Sequence, residues 1–294
     1  MQKHLSYRNY SKYTVSNYIK EMNHLCCYFK CSPREISKQQ VENYLYLLAT
    51  YKNFGPDKIN VAIASFTYFY CNILRTPQKV RQLKSSRIPS RVPFVLAPQQ
   101  VYQFIETLPK IRDKVIIQLM YSTGIRVGEC VALKRQHINI SRMSIRIEKG
   151  KGQKDRYVPL SPMMLERLEH YYKGYTPKDF IFYARSKDKP MCRATVNRII
   201  RNASHVLKTK ETITPHTFRH SFATMLTEEG ESLFTIQKIL GHKCIHSTFR
   251  YMKSAKTELK SCINPLDKIY EDNIMLNNEC KKRKPEKTAR RRLA

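Results

Sequence analysis

Four short stretches of the sequence hold side chains suited to phosphate chemistry. They are Thr-Gly-Ile-Arg126-Val-Gly-Glu129, Gly-Lys151-Gly, His216-Thr-Phe-Arg219-His220 and Leu-Gly-His242, the last followed nine residues later by Tyr251. In a helix, His216 and Arg219 would lie one turn apart, so both side chains could face the same ligand. Each stretch alone is a weak signal, and it is their combination that carries the prediction.

Together these residues supply what metal-free cleavage of a DNA phosphodiester needs: a nucleophile, positive charge for the transition state and an acid for the leaving oxygen. Tyr251 can be the nucleophile, and a phosphotyrosine would conserve the bond energy for rejoining. Arg126 and Arg219 can take the place of a metal, because a guanidinium binds phosphate oxygens in a fork and stays charged. Lys151 can protonate the departing 5′-hydroxyl.

The histidines complete this inventory. His216 can take the proton of Tyr251, and His242 can add a hydrogen bond to the phosphate. His216 and His220 are four residues apart, as in a zinc-binding helix, but Thr217 stands where that motif has its glutamate. We therefore predict no metal and no cofactor, and we interpret His220 as a supporting or packed residue.

These stretches resemble the tyrosine recombinases, especially the Xer-type recombinases, integron integrases and related transposon or phage integrases. That family carries an Arg, a Lys in a hairpin, a His-x-x-Arg pair, a His or Trp after Leu-Gly, and a Tyr nine residues later. All six positions are filled here in order, and the resemblance spans nearly the whole chain. It implies catalytic roles for Arg126, Lys151, His216, Arg219, His242 and Tyr251, with Glu129 at a supporting acidic position.

The chain departs from the family on the flanks of these positions. Cys244-Ile-His246 and Phe-Arg-Tyr251-Met differ from the commoner residues. Lys149 and Lys154 share the predicted hairpin with Lys151, so both remain alternatives for the acid.

Apolar spacing predicts the elements that must position these residues. A three-and-four pattern predicts helices from Tyr13 to Phe29, after Ser37, and after Pro56 as far as Ile73. Ser37 precedes Gln40 by three residues and predicts a capping box. We expect an N-terminal helical domain over residues 1–85, which looks like the core-binding (SAM-like) domain of the family. A linker is expected over 86–97, where prolines interrupt the pattern.

The remainder is predicted to be an α+β catalytic domain over residues 98–275. Helical patterns cover Gln99–Leu108 and Arg112–Tyr121, and alternation at 143–147 and 156–158 predicts a β-hairpin with a basic tip. Helices should follow to about Tyr270. The fold class is therefore mainly α with a small sheet, and the basic segment 276–294 should be a disordered tail.

Composition points to a polyanionic partner. The 294 residues carry 54 Lys+Arg against 23 Asp+Glu, a formal net charge of +31, which favours double-stranded DNA. No run of about 18 apolar residues suggests a membrane span, so we expect a cytoplasmic, nucleoid-associated protein. The nine cysteines show no zinc-ribbon spacing, and we expect most to be reduced core thiols. A metal site at His24, Cys26, Cys27 and Cys31 is the alternative.

The resemblance also implies a homotetramer on two DNA duplexes, with a related recombinase as an alternative partner, and strand exchange through a Holliday junction. Two other functions stay open: an architectural DNA-binding protein that has lost strand exchange, and a type IB topoisomerase. The sequence does not distinguish integration or excision of a mobile element from resolution of chromosome dimers.

Overall fold

The computed structural model describes residues 1–87, 93–148, 155–207, 209 and 211–252. The chain divides into two compact units, Met1–Arg91 and Val92–Ala294, each with a hydrophobic core of its own. The predicted fold class, mainly helical with a small sheet, is confirmed. Among the described residues, no helix is both long enough and apolar enough to span a bilayer.

Within its described residues, 1–87, the first unit is a bundle of four α-helices: α1 (Gln2–Tyr7), α2 (Lys12–Phe29), α3 (Lys38–Thr50) and α4 (Pro56–Tyr68). The three helices predicted from apolar spacing are confirmed as α2, α3 and α4. Apolar spacing does not predict α1, because this short helix buries one residue, Leu5. The predicted capping box is present, since Gln40 N donates to Ser37 Oγ at 3.2 Å and Ser37 N donates to Gln40 Oε1 at 2.8 Å.

The end of α4 differs from the prediction. The α-helix ends at Tyr68 and passes into a π-helical turn, Phe69–Ile73, where the spacing predicts continued α-helix. This turn directs Tyr70 into the core, where its ring is fully buried and its Oη donates to Pro33 O at 2.9 Å. A buried hydroxyl needs such a partner, so the altered turn satisfies both packing and hydrogen bonding.

The second unit surrounds a small sheet with helices. Its helices are α5 (Pro98–Glu106), α6 (Ile111–Thr123), α7 (Val127–Val131), α8 (Pro162–Gly174), α9 (Arg193–Val206), α10 (Pro215–Glu228), α11 (Leu233–Leu240) and α12 (His246–Met252). The predicted helical segments before the sheet are confirmed as α5 and α6. Between α8 and α9 the chain is irregular, with an isolated bridge between Tyr183 and Pro190.

The sheet is antiparallel with the order β1 (Ile138–Asn139), β2 (Ser144–Ile147), β3 (Arg156–Pro159). The predicted hairpin strands are confirmed as β2 and β3, which pair Ile145 with Val158 and Ile147 with Arg156. The alternating residues Ile145, Ile147 and Val158 are buried, as a half-buried strand requires. The hairpin tip, residues 149–154, lies outside the described residues, as does the predicted tail.

The described cysteines largely meet the expectation of reduced core thiols. All seven in the described ranges are free, but only Cys130 among them is buried, while Cys27, Cys192 and Cys244 are exposed. Cys26, Cys31 and Cys71 are half-buried and pack against the core of the first unit, so four of the seven described cysteines contact a core and the prediction holds for most of them. Apolar spacing places Cys26 near the core side of α2, but Cys27 on the next position faces outward.

Candidate active site

Helix α10 carries three of the predicted site residues on its first two turns. Thr214 caps the helix, because its Oγ1 accepts from the backbone N–H of Thr217 at 3.3 Å. The helix starts immediately afterwards, so His216, Arg219 and His220 project from neighbouring positions. The ring centroids of the two histidines are 6.2 Å apart.

Arg219 is a buried cation, with 3% of its surface exposed. Its Nη1 donates to Gly124 O at 2.6 Å, and its Nη2 donates to Leu240 O at 2.7 Å and lies 3.0 Å from His242 Nε2. Both carbonyls lie at the C-terminal ends of helices, α6 and α11, where the helix dipole is negative. Carbonyls and an imidazole, rather than a carboxylate, therefore hold this guanidinium in the described structure.

Glycine is required where α6 ends against α10. Gly124 has φ +63°, in the left-handed region, and a Cβ built there would lie 2.4 Å from the ring of Phe222. The Thr-Gly-Ile-Arg stretch therefore forms the C-terminal end of α6, which packs closely against Phe222 of α10. This close approach is what brings Gly124 O within reach of Arg219.

Glu129 lies between two arginines. It accepts from Arg126 N at 2.8 Å and Arg126 Nη1 at 3.0 Å, and the two Nη atoms of Arg156 reach its two oxygens at 2.9 and 2.7 Å. Arg156 Nε also donates to Ile239 O at 2.8 Å. Arg156 is the first residue of β3, so its guanidinium fastens the sheet to α7 and to the end of α11. Glu129 in turn fixes the side chain of Arg126.

The carboxyl group of Glu129 stays ionised over the working pH range. Burial, the largest influence, would raise its pKa, but the hydrogen bonds and charge of Arg156, with those of Arg126, lower that pKa to about 2. The sequence predicts Arg156 as a strand residue but does not predict that it binds Glu129. Its partners are 27 and 83 residues away along the chain.

The phenol of Tyr251 on α12 lies beside α10 with 2% of its surface exposed. Its Oη is 3.3 Å from His220 Nδ1 and lies within electrostatic reach of Arg219. The ring stacks with that of His242 at a centroid distance of 6.1 Å and an interplanar angle of 16°. Thr248 Oγ1, 3.0 Å from His242 Nδ1, fixes the other edge of that imidazole.

Burial sets the protonation states in this pocket. It raises the pKa of Tyr251, although Arg219, Arg250 and Arg126 pull that pKa back down. Burial and then the charge of Arg126 lower the pKa of Arg219 to about 10, so this residue is still charged at neutral pH. Burial and the neighbouring cations lower the pKa of His216, and they lower that of His220 to about 4. At neutral pH the pocket therefore holds a charged Arg219 guanidinium, uncharged imidazoles of His216 and His220 and a protonated phenol.

The structure brings five of the six predicted catalytic residues, with Glu129 and His220, into one pocket of the second unit. The five are Arg126, His216, Arg219, His242 and Tyr251. Lys151 and its alternatives Lys149 and Lys154 lie outside the described residues. The role of His216 as proton acceptor stays a prediction, and the hydrogen-bonding distance measured to the phenol is that of His220.

No cluster of three or more His, Cys, Asp or Glu side chains able to hold a metal ion occurs in the described ranges. The alternative of a metal site around His24 and its neighbouring cysteines therefore gains no geometric support.

The chain matches known proteins over both units. The model of the phage integrase family matches residues 95–258, and that of the phage integrase N-terminal SAM-like domain matches residues 1–80. A putative integrase/recombinase y4qK of Sinorhizobium fredii is 31% identical over 270 residues, which cover 91% of this chain and 87% of the relative. A tyrosine recombinase of Pseudothermotoga lettingae is 29% identical, over 88% of this chain and 93% of that protein.

Solved structures show the same fold. A lambda integrase dimer bound to a COC′ core site superposes with a TM-score of 0.73 over 90% of this chain and 96% of that one, at 16% identity.

Proposed function

The chain belongs to the phage integrase family and is a tyrosine recombinase, and we propose that Tyr251 is the nucleophile with which it cleaves and rejoins DNA. One observation carries this assignment: the buried phenol of Tyr251 lies close enough to Arg219 and Arg126 that their charges lower its pKa against the effect of burial. These three side chains come from α12, α10 and the N-terminus of α7, so the fold gathers them across more than a hundred residues.

In the proposed step, Tyr251 Oη forms a bond to the phosphorus while the bond from phosphorus to the 5′-oxygen breaks. The phenol passes its proton to an imidazole of the pocket, and the leaving oxygen receives a proton from a donor that we assign as Lys151. Arg126 and Arg219 stabilise the added negative charge on the non-bridging oxygens, and His242 adds a hydrogen bond. Attack by a 5′-hydroxyl on the phosphotyrosine reverses the step, so rejoining needs no external energy source.

Glu129 and Arg156 position the pocket in this proposal. The carboxylate holds the Arg126 guanidinium from one side and is itself held by Arg156, as the measured distances indicate. A fixed guanidinium needs little reorganisation when charge develops on the phosphate, which is the main source of electrostatic catalysis.

Double-stranded DNA carrying specific sites is the proposed substrate. The formal net charge of +31 favours a polyanion, and solved structures of similar fold include recombinases bound to difH substrate and to circular intermediate DNA. By the family analogy we propose residues 1–85 as the core-binding domain, 86–97 as a linker, 98–275 as the catalytic domain and 276–294 as a basic tail. A synaptic homotetramer, with a related recombinase as an alternative partner, would exchange strands in pairs to move a mobile element or resolve dimers, in the nucleoid of the cytoplasm.

The test needs the site on which the chain acts. Sequencing the DNA junctions made in cells that express this chain together with the DNA flanking its gene would give the crossover sequence. A synthetic nicked duplex with that sequence, called here the junction duplex, traps a covalent complex because the short cleaved strand diffuses away.

We expect Tyr251→Phe to abolish the covalent complex while binding to the junction duplex is unchanged. Tyr171→Phe is the matched control, because Tyr171 is also buried and its Oη donates to Ile181 O at 3.0 Å, away from the pocket. Trapping by Tyr251→Phe at the wild-type level would refute the proposal.

The two other functions give different results in the same assays. An architectural DNA-binding protein would bind the junction duplex without any covalent complex. A type IB topoisomerase would relax supercoiled plasmids that lack the crossover sequence.

A further inference from the structure

Tyr251 must lose its phenolic proton during the attack, and its surroundings make that loss difficult. The phenol is buried, and burial is the main influence that raises its pKa above the ordinary value near 10. A phenol in that state is a poor nucleophile unless a base accepts the proton as the bond to phosphorus forms. The base has to lie within hydrogen-bonding distance of Oη.

We propose that His220, through Nδ1, is the catalytic base that takes the phenolic proton of Tyr251. The inference rests on the proposed function of Tyr251 and adds a reacting partner to it. His220 Nδ1 lies 3.3 Å from Tyr251 Oη, and the two ring centroids are 5.6 Å apart. His216, one turn earlier on α10, is the competing base, and its ring centroid lies 6.2 Å from that of His220.

The groups around Tyr251 Oη favour this direction of transfer. Arg219 is a donor only, and its charge, close enough to lower the pKa of Tyr251, favours an orientation in which a lone pair of the phenolic oxygen faces the guanidinium. The single phenolic proton is then left to point at His220 Nδ1. This assignment requires the tautomer of His220 that carries its proton on Nε2.

His220 is uncharged at neutral pH and so has a free lone pair for the proton. Burial, followed by His216, Arg250 and Arg219, lowers its pKa to about 4. Tyr251 on α12 is a titratable group that faces His220. Tyr121 on α6, whose pKa is also raised by burial, packs against the apolar cluster that contains Tyr251 and Phe222.

The same surroundings explain how so weak a base becomes effective. Cations and burial make the imidazolium unfavourable in the free pocket. A DNA phosphate bound between Arg126 and Arg219 adds negative charge close by, which favours the protonated imidazole. Proton transfer is thus promoted when the scissile phosphate is in place. The proton that leaves Tyr251 ends on His220, and the reverse reaction returns it.

The inference is tested on His220→Asn with the junction duplex. Asn places a hydrogen-bond acceptor near the position of Nδ1 but cannot take a proton, so it preserves the orientation of the phenol. We expect single-turnover cleavage at pH 7 and saturating enzyme to fall about 100-fold, a typical loss for a general base, with unchanged DNA binding. His170→Asn, on the exposed face of α8, is the control and should cleave at the wild-type rate.

Two further readouts separate a base from a packing residue. The rate of His220→Asn should rise about tenfold per pH unit between pH 7 and 9, because hydroxide replaces the base, while the wild-type rate changes little. A junction duplex with sulfur as the bridging 5′ atom has a leaving group that needs no proton. It should rescue Lys151→Ala but not His220→Asn.

Each outcome decides the inference. A normal cleavage rate for His220→Asn, or a defect that His216→Asn shows instead with the same pH dependence, would overturn it and leave the nucleophile assignment intact. Rescue of His220→Asn by the sulfur substrate would also overturn it, by placing His220 at the leaving group. If His220→Asn bound DNA poorly, His220→Gln and the pH profile would decide, because a packing defect lowers the rate equally at every pH. Covalent trapping by Tyr251→Phe would instead refute the proposed function.

Discussion

Two buried charges, one in each unit, are held in different ways. In the first unit, the carboxylate of Glu21, 2% exposed, forms a direct ion pair with Lys58. In the second unit, the guanidinium of Arg219, 3% exposed, is held by two backbone carbonyls and an imidazole. Both charges are almost removed from water, but only the first has an opposite charge as its direct partner.

This difference indicates what each buried charge does. A directly paired charge serves the stability of its own unit and presents little field to a ligand. Arg219 is fixed but not neutralised by its direct partners, so its pKa falls to about 10 through burial and the charge of Arg126. The Arg219 guanidinium therefore remains available to bind a phosphate, and its burial without an opposite charge as direct partner lowers the stability of the second unit.

Substitution of Arg219 should have the largest effect on the cleavage rate. Arg219→Lys retains a positive charge but loses the planar fork, so we expect cleavage of the junction duplex to slow about 1000-fold with little change in thermal stability. Arg112→Lys is the control, since that guanidinium is paired with Asp113 Oδ1 at 2.9 Å outside the pocket. Single-turnover cleavage within tenfold of wild type for Arg219→Lys would refute the role of the Arg219 guanidinium in catalysis.

Glu129 is a directly paired carboxylate of the second unit, shared by Arg126 and Arg156, so like Glu21 it should contribute to stability. Its pKa is lowered from 4.5 to about 2, so its contribution to stability is complete above pH 4.5 and is lost as the pH falls towards 2. That contribution is about 3 kcal/mol by linkage. Urea unfolding should show wild type losing its advantage over Glu129→Gln as the pH falls from 5 to 3.

An exposed carboxylate serves as the control for Glu129. Asp179, which pairs with Lys134 at 2.8 Å, is 47% exposed, and Asp179→Asn should show little such pH dependence. An advantage of wild type over Glu129→Gln that stays constant between pH 5 and 3 would contradict the account.

Breaking the ion pair of the first unit should affect stability alone. Lys58→Met leaves the buried Glu21 carboxylate without its direct partner, and we expect a loss of about 2 kcal/mol, reduced because Lys58 is partly exposed. Cleavage at saturating DNA should stay within about twofold of wild type, whereas urea unfolding should shift. Lys52→Met, at an exposed position of the same unit, is the control. A cleavage defect larger than tenfold would mean that this pair is not merely structural.

The smallest expected effect is on positioning. Arg156→Lys cannot bind both Glu129 oxygens and Ile239 O together, so Arg126 should be held less firmly. We expect cleavage about tenfold slower at unchanged DNA affinity. Arg146→Lys, on the neighbouring strand and in an exposed pair with Asp155, should cleave normally. Equal cleavage rates for the two variants would refute the role of Arg156 in positioning Arg126.

The sequence predicts those parts of the site that local patterns encode. His216 and Arg219 are three residues apart, and His242 and Tyr251 are nine apart, so these motifs could be recognised without a fold. The helices α2, α3 and α4 were predictable for the same reason, since their buried residues repeat at helical spacing.

Contacts between distant segments were not predictable. His220 and Tyr251 are 31 residues apart, and Arg156 and Glu129 are 27 apart, so no local pattern pairs them. The helix α1 and the two-residue strand β1 are too short for a periodic signal. The π-helical turn after Tyr68 depends on tertiary packing of Tyr70, which apolar spacing does not encode.

Mass-spectrometric mapping of the covalent complex tests the central claim most directly. After digestion of the complex trapped on the junction duplex, we predict a nucleotide joined through its 3′-phosphate to the peptide that contains Tyr251, and to that side chain. A nucleotide on any other residue, or a 5′-phosphate linkage to Tyr251, would contradict the account.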